Sequence, residues 1–232
     1  MFNRVQGGTW TITATAGPTS TPAVIQQNLS YAGLPASSGG AVQLANGSNF
    51  EDIGLDITTA NSGSVYGSFI LKVLNPGSVG AGDYIAHFQS AGNASTDYHS
   101  RVFVTTGSIA GSTFRVGIRN RSADVVQVDP TDRPVGTPVF VAFSYDFVAG
   151  ATNDISRVWI NPALGLGAAP AANATASAGG VEIDLTTLGR VGLRQGAGST
   201  AQVVQLDELR VGTAWTDVAP NNAAVAEWSL YN

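Results

Sequence analysis

From Leu206 to Val218 the chain reads LDELRVGTAWTDV, directly after Val203-Val204. Val204 and Leu206 share one parity, and Leu209 and Val211 share the other. Successive side chains of a β-strand point to opposite faces, so a regular strand would bury one of these apolar pairs and expose the other. One extra residue at Asp207-Glu208, a β-bulge, returns both pairs to the same face. The spacing therefore predicts a strand bent at two acids, which either decorate the bend or, through Asp207, help to hold a calcium ion. Further upstream, Val139 to Pro162 reads VFVAFSYDFVAGATNDISRVWINP. Val139, Val141, Phe143, Tyr145 and Phe147 alternate with Ala142, Ser144 and Asp146, a Gly/Asn/Asp turn follows, and a second strand ends in Trp159-Ile160-Asn161-Pro162. This pattern predicts a hairpin whose first strand is central in its sheet.

Outward from these two stretches the chain continues as short strands. Phe69 to Leu74 and Tyr84 to Phe88 flank Asn75-Pro76-Gly77 and Gly80-Ala81-Gly82, and read as another hairpin with a longer loop. Arg101 to Thr105, Phe114 to Arg119 and Val125 to Val128 extend the series, which turns through Asp129-Pro130 and Arg133-Pro134. Ala163 to Gly180 is small-residue sequence and reads as a mobile loop. Long helical periodicity is absent. With 232 residues, 44% of them hydrophobic and only 12% charged, the chain suits one all-β domain: an antiparallel two-sheet β-sandwich over 1–232, its core about 7–218. The absence of cysteine excludes disulfides and thiolate metal sites. A net charge of −5 argues against general nucleic-acid binding, and no apolar run approaches the roughly 20 residues that span a bilayer as a helix.

The segments Leu206–Val218 and Val139–Pro162 resemble the closing strand and the central hairpin of the laminin-G/concanavalin A-like jelly rolls of secreted and surface-anchored bacterial proteins. The resemblance runs in pattern from about Gly7 to Val218. It implies a concanavalin A-like jelly roll and a non-catalytic extracellular module for carbohydrate binding or adhesion, recognising a polysaccharide or cell-surface glycan. It further implies a leader before residue 1 for secretion, and an anchor after Asn232 where the protein is held at the surface. The rival expectation is a structural, self-associating surface or matrix protein.

Candidate binding residues come from an internal echo: Arg115-Val116-Gly117-Ile118-Arg119 and Arg190-Val191-Gly192-Leu193-Arg194 share one pattern. On a strand each copy displays two arginines on one face, separated by a glycine. Were the two strands neighbours, Arg115, Arg119, Arg190 and Arg194 would form a ladder of guanidinium forks suited to carboxylates or sulfates. The plainer alternative pairs them with Asp124, Asp129, Asp132 or Asp184 on a solvated surface. Tyr98, His99 and Arg101, beside Asp97, lie at a loop-to-strand junction and join the candidate set. Trp10, Tyr66, Tyr98 and Trp228 are candidate sugar-stacking rings, whereas Trp159 and Trp215 read as core and His87 as a satisfied structural histidine. Asp146, Asn153, Asp154 and Asp207 are candidate calcium ligands, though no diagnostic loop spacing is present. Glu182-Ile183-Asp184-Leu185-Thr186 resembles the Glu-x-Asp-x-Glu strand of jelly-roll glucanases but has Thr186 where the second glutamate belongs, and retaining hydrolysis requires both carboxylates. Polysaccharide-lyase signatures, serine-hydrolase elbows, phosphate loops and zinc-protease pairs are likewise absent, so no enzyme is expected.

Overall fold

A computed structural model describes residues 10–14, 21–47, 51–78, 83–90, 97–121, 124–177, 183–196 and 201–221. The described residues form two antiparallel sheets packed as a jelly-roll β-sandwich. The first sheet runs, edge to edge, β1 (Thr11–Ala14), β4 (Asp52–Ala60), β14 (Leu188–Leu193), β6 (Asp83–Gln89), β7 (Tyr98–Thr106), β8 (Thr113–Arg119) and β10 (Arg133–Pro134), with β9 (Gln127–Val128) also pairing β8. The second runs β13 (Ala174–Ser177), β12 (Ile155–Ile160), β11 (Val139–Asp146), β5 (Ser64–Asn75), β15 (Val203–Gly212), β3 (Ala41–Ala45) and β2 (Ala23–Ile25). One short helix, α1 (Trp215–Val218), follows β15.

The alternation read in β11 is realised. Val139, Val141, Phe143 and Tyr145 enter the core between the sheets with Phe69, Leu71, Phe88, Val104 and Ile118. Each fully buried side chain of this kind contributes roughly 1.5–3 kcal/mol. Phe140 and Ala142 point the other way, into a smaller outer cluster with Ile70, Trp159, Leu29 and Leu34, closed by Trp215 and Val218 of α1. Both faces of the second sheet are therefore occupied, and Trp159 and Trp215 are core, as expected. The bulge in β15 is present: its register against β5 shifts between Asp207 and Arg210, and Glu208 has φ +54°. Its two acids tether the segment that crosses the second sheet. An Asp207 carboxylate oxygen accepts the Leu29 N–H at 2.8 Å, a Glu208 oxygen accepts the Ser38 N–H at 3.2 Å, and the other Glu208 oxygen meets Arg210 at 2.7 Å.

Two expectations need correction. Phe69–Leu74 and Tyr84–Phe88 do not form a hairpin, because β5 and β6 lie in opposite sheets. The Gly/Pro signals between them mark a reversal, and nothing local says whether the chain returns to its own sheet or crosses to the facing one. The segment from Ala163 onward is not simply a loop either. Ala174–Ser177 adds an edge strand to β12, from Val158 opposite Ala174 to Ile155 opposite Ser177, and Ala169 and Ala172 pack on the outer cluster. Small side chains are poor strand formers alone, but an edge ladder supplies the hydrogen bonds they need.

Candidate functional site

The outer face of the first sheet carries a layer of aromatic rings and arginines. On β7 and β8, Val102, Val104, Val116 and Ile118 turn inward, which leaves Arg101, Phe103, Thr105, Arg115, Gly117 and Arg119 on the outer face. Register places Tyr84 opposite Phe103, Phe103 opposite Gly117, Gly117 opposite Val128, and Arg101 opposite Arg119. Positive φ at Ser100 (+46°) resets the alternation in β7, so Tyr98 and Arg101 reach the same face although three residues apart.

Guanidinium groups lie over the rings. Arg194 stands 4.3 Å from the Tyr84 centroid, Arg101 5.0 Å from Tyr84 and 5.7 Å from Tyr98, and Arg119 4.9 Å from Phe103. The rings touch in turn, Tyr84 to Phe103 at 5.6 Å and His87 to Tyr98 at 4.5 Å. Arg194 is also tied to Asp83, with Asp52 3.8 Å away. Burial raises the Asp52 carboxyl to about 6, an effect opposed by Arg194 and by the Gln195 N–H. His87 is 1% exposed and, among the described residues, has no partner on either ring nitrogen, so the expectation of a satisfied histidine is corrected. Burial, then the charges of Arg101, Arg194 and Arg190, hold it down at about 3, and it stays neutral. A Cβ on Gly192 would collide with its ring, so glycine is what lets His87 lie across β14.

Beside this layer an open groove of about 490 Å³ runs along β8 and β9, lined by Thr105, Thr106, Arg115, Arg119, Asp124, Val125, Val126 and Val128. Arg119 forms one wall. Among the described residues it has no carboxylate partner, and its Nε is buried without an acceptor. Its neighbours Arg115 and Arg121 differ, meeting Asp132 at 2.6 Å and Asp97 at 3.4 Å, and so does the more distant Arg190, which meets Asp56 at 2.6 Å.

The sequence-derived arginine ladder is not assembled. β8 and β14 share the sheet but are separated by β6 and β7, so Arg115 and Arg119 do not neighbour Arg190 and Arg194. A repeated motif shows that two strands have similar chemistry, not that they are adjacent. Tyr98, Arg101, Arg119 and Arg194 are instead gathered around Tyr84 and Phe103, residues that nothing in the sequence distinguishes from ordinary strand aromatics. Arg115 lies further out along the groove, and Arg190 crosses Gly54 to Asp56 and the Thr11 hydroxyl. His99 points elsewhere: its Nε2 lies 2.9 Å from Asp97 and its ring stacks edge-on against Tyr145 at 5.3 Å. Tyr66 is not a free sugar platform either, because it packs on Trp159 and Trp215 in the outer cluster of the second sheet. Trp10 is partly exposed, and Trp228 lies outside the described residues.

The candidate calcium ligands fall in two places. Asp146, Asn153 and Asp154 belong to the β11–β12 hairpin, while Asp207 sits at the β15 bulge. Asp146 pairs with Arg157, Asp154 accepts the Tyr145 hydroxyl and, at 2.6 Å, the Val148 N–H, and the Asn153 side chain donates to the Ala149 carbonyl at 2.8 Å. Among the described residues no three acidic or histidine side chains converge on one point. Asp184, from the glucanase-like motif, accepts the Asn153 and Asp154 N–H groups and so braces the hairpin; Glu182 lies outside the described residues. A second cavity, about 690 Å³ and lined by Phe147, Val148, Asp154, Ile183 and Leu185 among others, opens at this end.

No protein-family model matches the chain, and no curated protein does. Solved structures with a similar fold include the binding domain of botulinum neurotoxin serotype G, at 11% identity over 94% of this chain and 45% of that one (TM-score 0.45). A carbohydrate esterase from a Shiga toxin-encoding bacteriophage shares 14% identity over 89% of this chain and 90% of its own (TM-score 0.45). A lectin of Griffonia simplicifolia in its metal-free form shares 11% over 76% and 89% (TM-score 0.40). The chain spans less than half the length of the neurotoxin binding domains.

Proposed function

We propose that this chain is a non-catalytic carbohydrate-binding module of a secreted or cell-surface protein, and that it holds a polysaccharide in the groove along β8 and β9. The groove is the observation that carries this reading. Its volume, about 490 Å³, falls within the range of ligand sites, and its walls combine apolar groups with hydrogen-bonding ones. Val125, Val126 and Val128 offer methyl surface to the C–H face of a sugar ring, while Thr105 and Arg119 offer donors to its hydroxyl or acidic oxygens. Glycoside hydrolysis requires two carboxyl groups flanking the scissile bond. Among the described residues the groove is lined by a single one, Asp124, which supports binding without cleavage.

Affinity electrophoresis through gels containing neutral, uronate-bearing and sulfated polysaccharides, with and without calcium, tests the reading. The expected outcome is retardation by at least one polysaccharide and no release of reducing or unsaturated ends on prolonged incubation. Unretarded migration in every gel would remove the glycan-binding reading, and product release would replace it with an enzymatic one.

A further inference from the structure

We infer that the groove selects acidic polysaccharides, with Arg119 as the anchor for the carboxylate or sulfate ester of one sugar unit. The inference rests on the glycan-binding reading above and adds the charge class of its ligand. Arg115 on β8, Arg121 beyond its end, Arg190 on β14 and Arg194 just past it each face a carboxylate of the protein, whereas Arg119, among the described residues, faces none. The stacking of its guanidinium on Phe103 holds the group in place without using any of its N–H donors. Among the described residues its buried Nε has no acceptor, and that atom is out of a ligand's reach, so the donors Arg119 offers to the groove it lines are those of its terminal nitrogens. The planar fork presents parallel N–H groups that match a carboxylate or a sulfate ester, a fit a neutral hydroxyl cannot reproduce.

Asp124 lines the same groove, and one of its carboxylate oxygens accepts the Arg121 backbone N–H at 2.9 Å. Its charge repels an anion, so the acidic group is directed to the Arg119 wall and the sugar's uncharged face toward Asp124. Removing that charge strengthens the binding of an acidic chain without creating any contact.

The test compares the wild type with Arg119→Gln, Arg119→Lys and Asp124→Asn on polygalacturonate, dextran sulfate and unmodified dextran, at low and high salt. A thermal melt accompanies each variant. Expected is retention by polygalacturonate, dextran sulfate or both, the two arms separating carboxylate from sulfate recognition, with binding that weakens as salt screens the charge. Arg119→Gln weakens it about tenfold or more, the scale of a charge-assisted hydrogen bond. Arg119→Lys keeps the charge without the fork and recovers part of the loss; Asp124→Asn binds more tightly than wild type. Acidic-glycan binding that Arg119→Gln leaves unchanged in a folded protein would overturn the inference, as would binding indifferent to salt and to Asp124→Asn. Retention by dextran alone would leave a glycan-binding module and remove the acidic preference, whereas no retention by any polysaccharide would remove both. Should Arg119→Gln fail to fold, the wild-type salt dependence and Asp124→Asn still decide the matter.

Discussion

Asp52 is buried on the first sheet between an arginine and a second acid, and its position gives the protein a measurable pH dependence. Its side chain accepts the Gln195 N–H at 2.9 Å and lies 3.8 Å from Arg194, yet desolvation outweighs both and raises the carboxyl from 3.8 to about 6, with a smaller contribution from Asp83. The folded state therefore holds this proton more tightly than the unfolded chain does. The contribution is full below pH about 4 and is lost as pH rises to about 6, up to roughly 3 kcal/mol for a shift of this size. Asp154 and Asp207, also raised by burial, act in the same sense, whereas Asp97 and Asp129 are lowered and act at more acid pH. Asp52→Asn should flatten part of the decline in melting temperature between pH 4 and 6 and leave the protein more stable than wild type above pH 6. Parallel thermal melts across that window measure the difference; identical pH profiles would show that Asp52 titrates normally. None of this was legible in the sequence, where Asp52 is one acid among many. Its burial comes from Gln195 and Arg194, more than 140 residues away.

At the scale of the element, the β15 bulge shows how far local pattern reaches. The parity switch from Val204 and Leu206 to Leu209 and Val211 required an extra residue, because an apolar pair left on the solvent side would forfeit its burial. The structure places that residue at Glu208 with positive φ. Deleting Glu208 should therefore return Leu209, Arg210 and Val211 to the wrong faces, losing about 3 kcal/mol or more or abolishing the fold. Glu208→Gly combined with Arg210→Met keeps the count, relieves a left-handed φ and removes both halves of the buried ion pair, and should change stability by only about 1 kcal/mol. Urea unfolding of the two variants distinguishes register from side-chain chemistry, and equal losses would show that the bulge is not what sets the alternation. The same logic explains the errors at β5, β6 and β13. A period of two identifies a strand and its buried face but contains no information about which strand lies beside it.

For the whole molecule, the inter-sheet core draws residues from both sheets, and the outer cluster is continuous with it through β5 and β11, where Ile70 and Phe140 back onto Phe69 and Val141. Trp159 and Trp215 in the outer cluster should thus report the same event as the backbone: their fluorescence change and the far-UV dichroism of the sheets should coincide in one unfolding transition. A fluorescence transition that precedes the loss of sheet would show that the outer cluster opens separately. The chain by itself determined that the protein is all-β, which strands alternate, where β15 bends and which tryptophans are core. These are local properties, set by the two-residue period and by the cost of exposing apolar side chains. Only the tertiary structure decided that β6 and β7 lie between β8 and β14, that Tyr98, Arg101, Arg119 and Arg194 gather around Tyr84 and Phe103, and that Arg119 lines a groove with no carboxylate partner among the described residues. Pairing across a sheet is won by the arrangement that buries the most apolar surface over the entire sandwich, and that sum is not contained in any one segment.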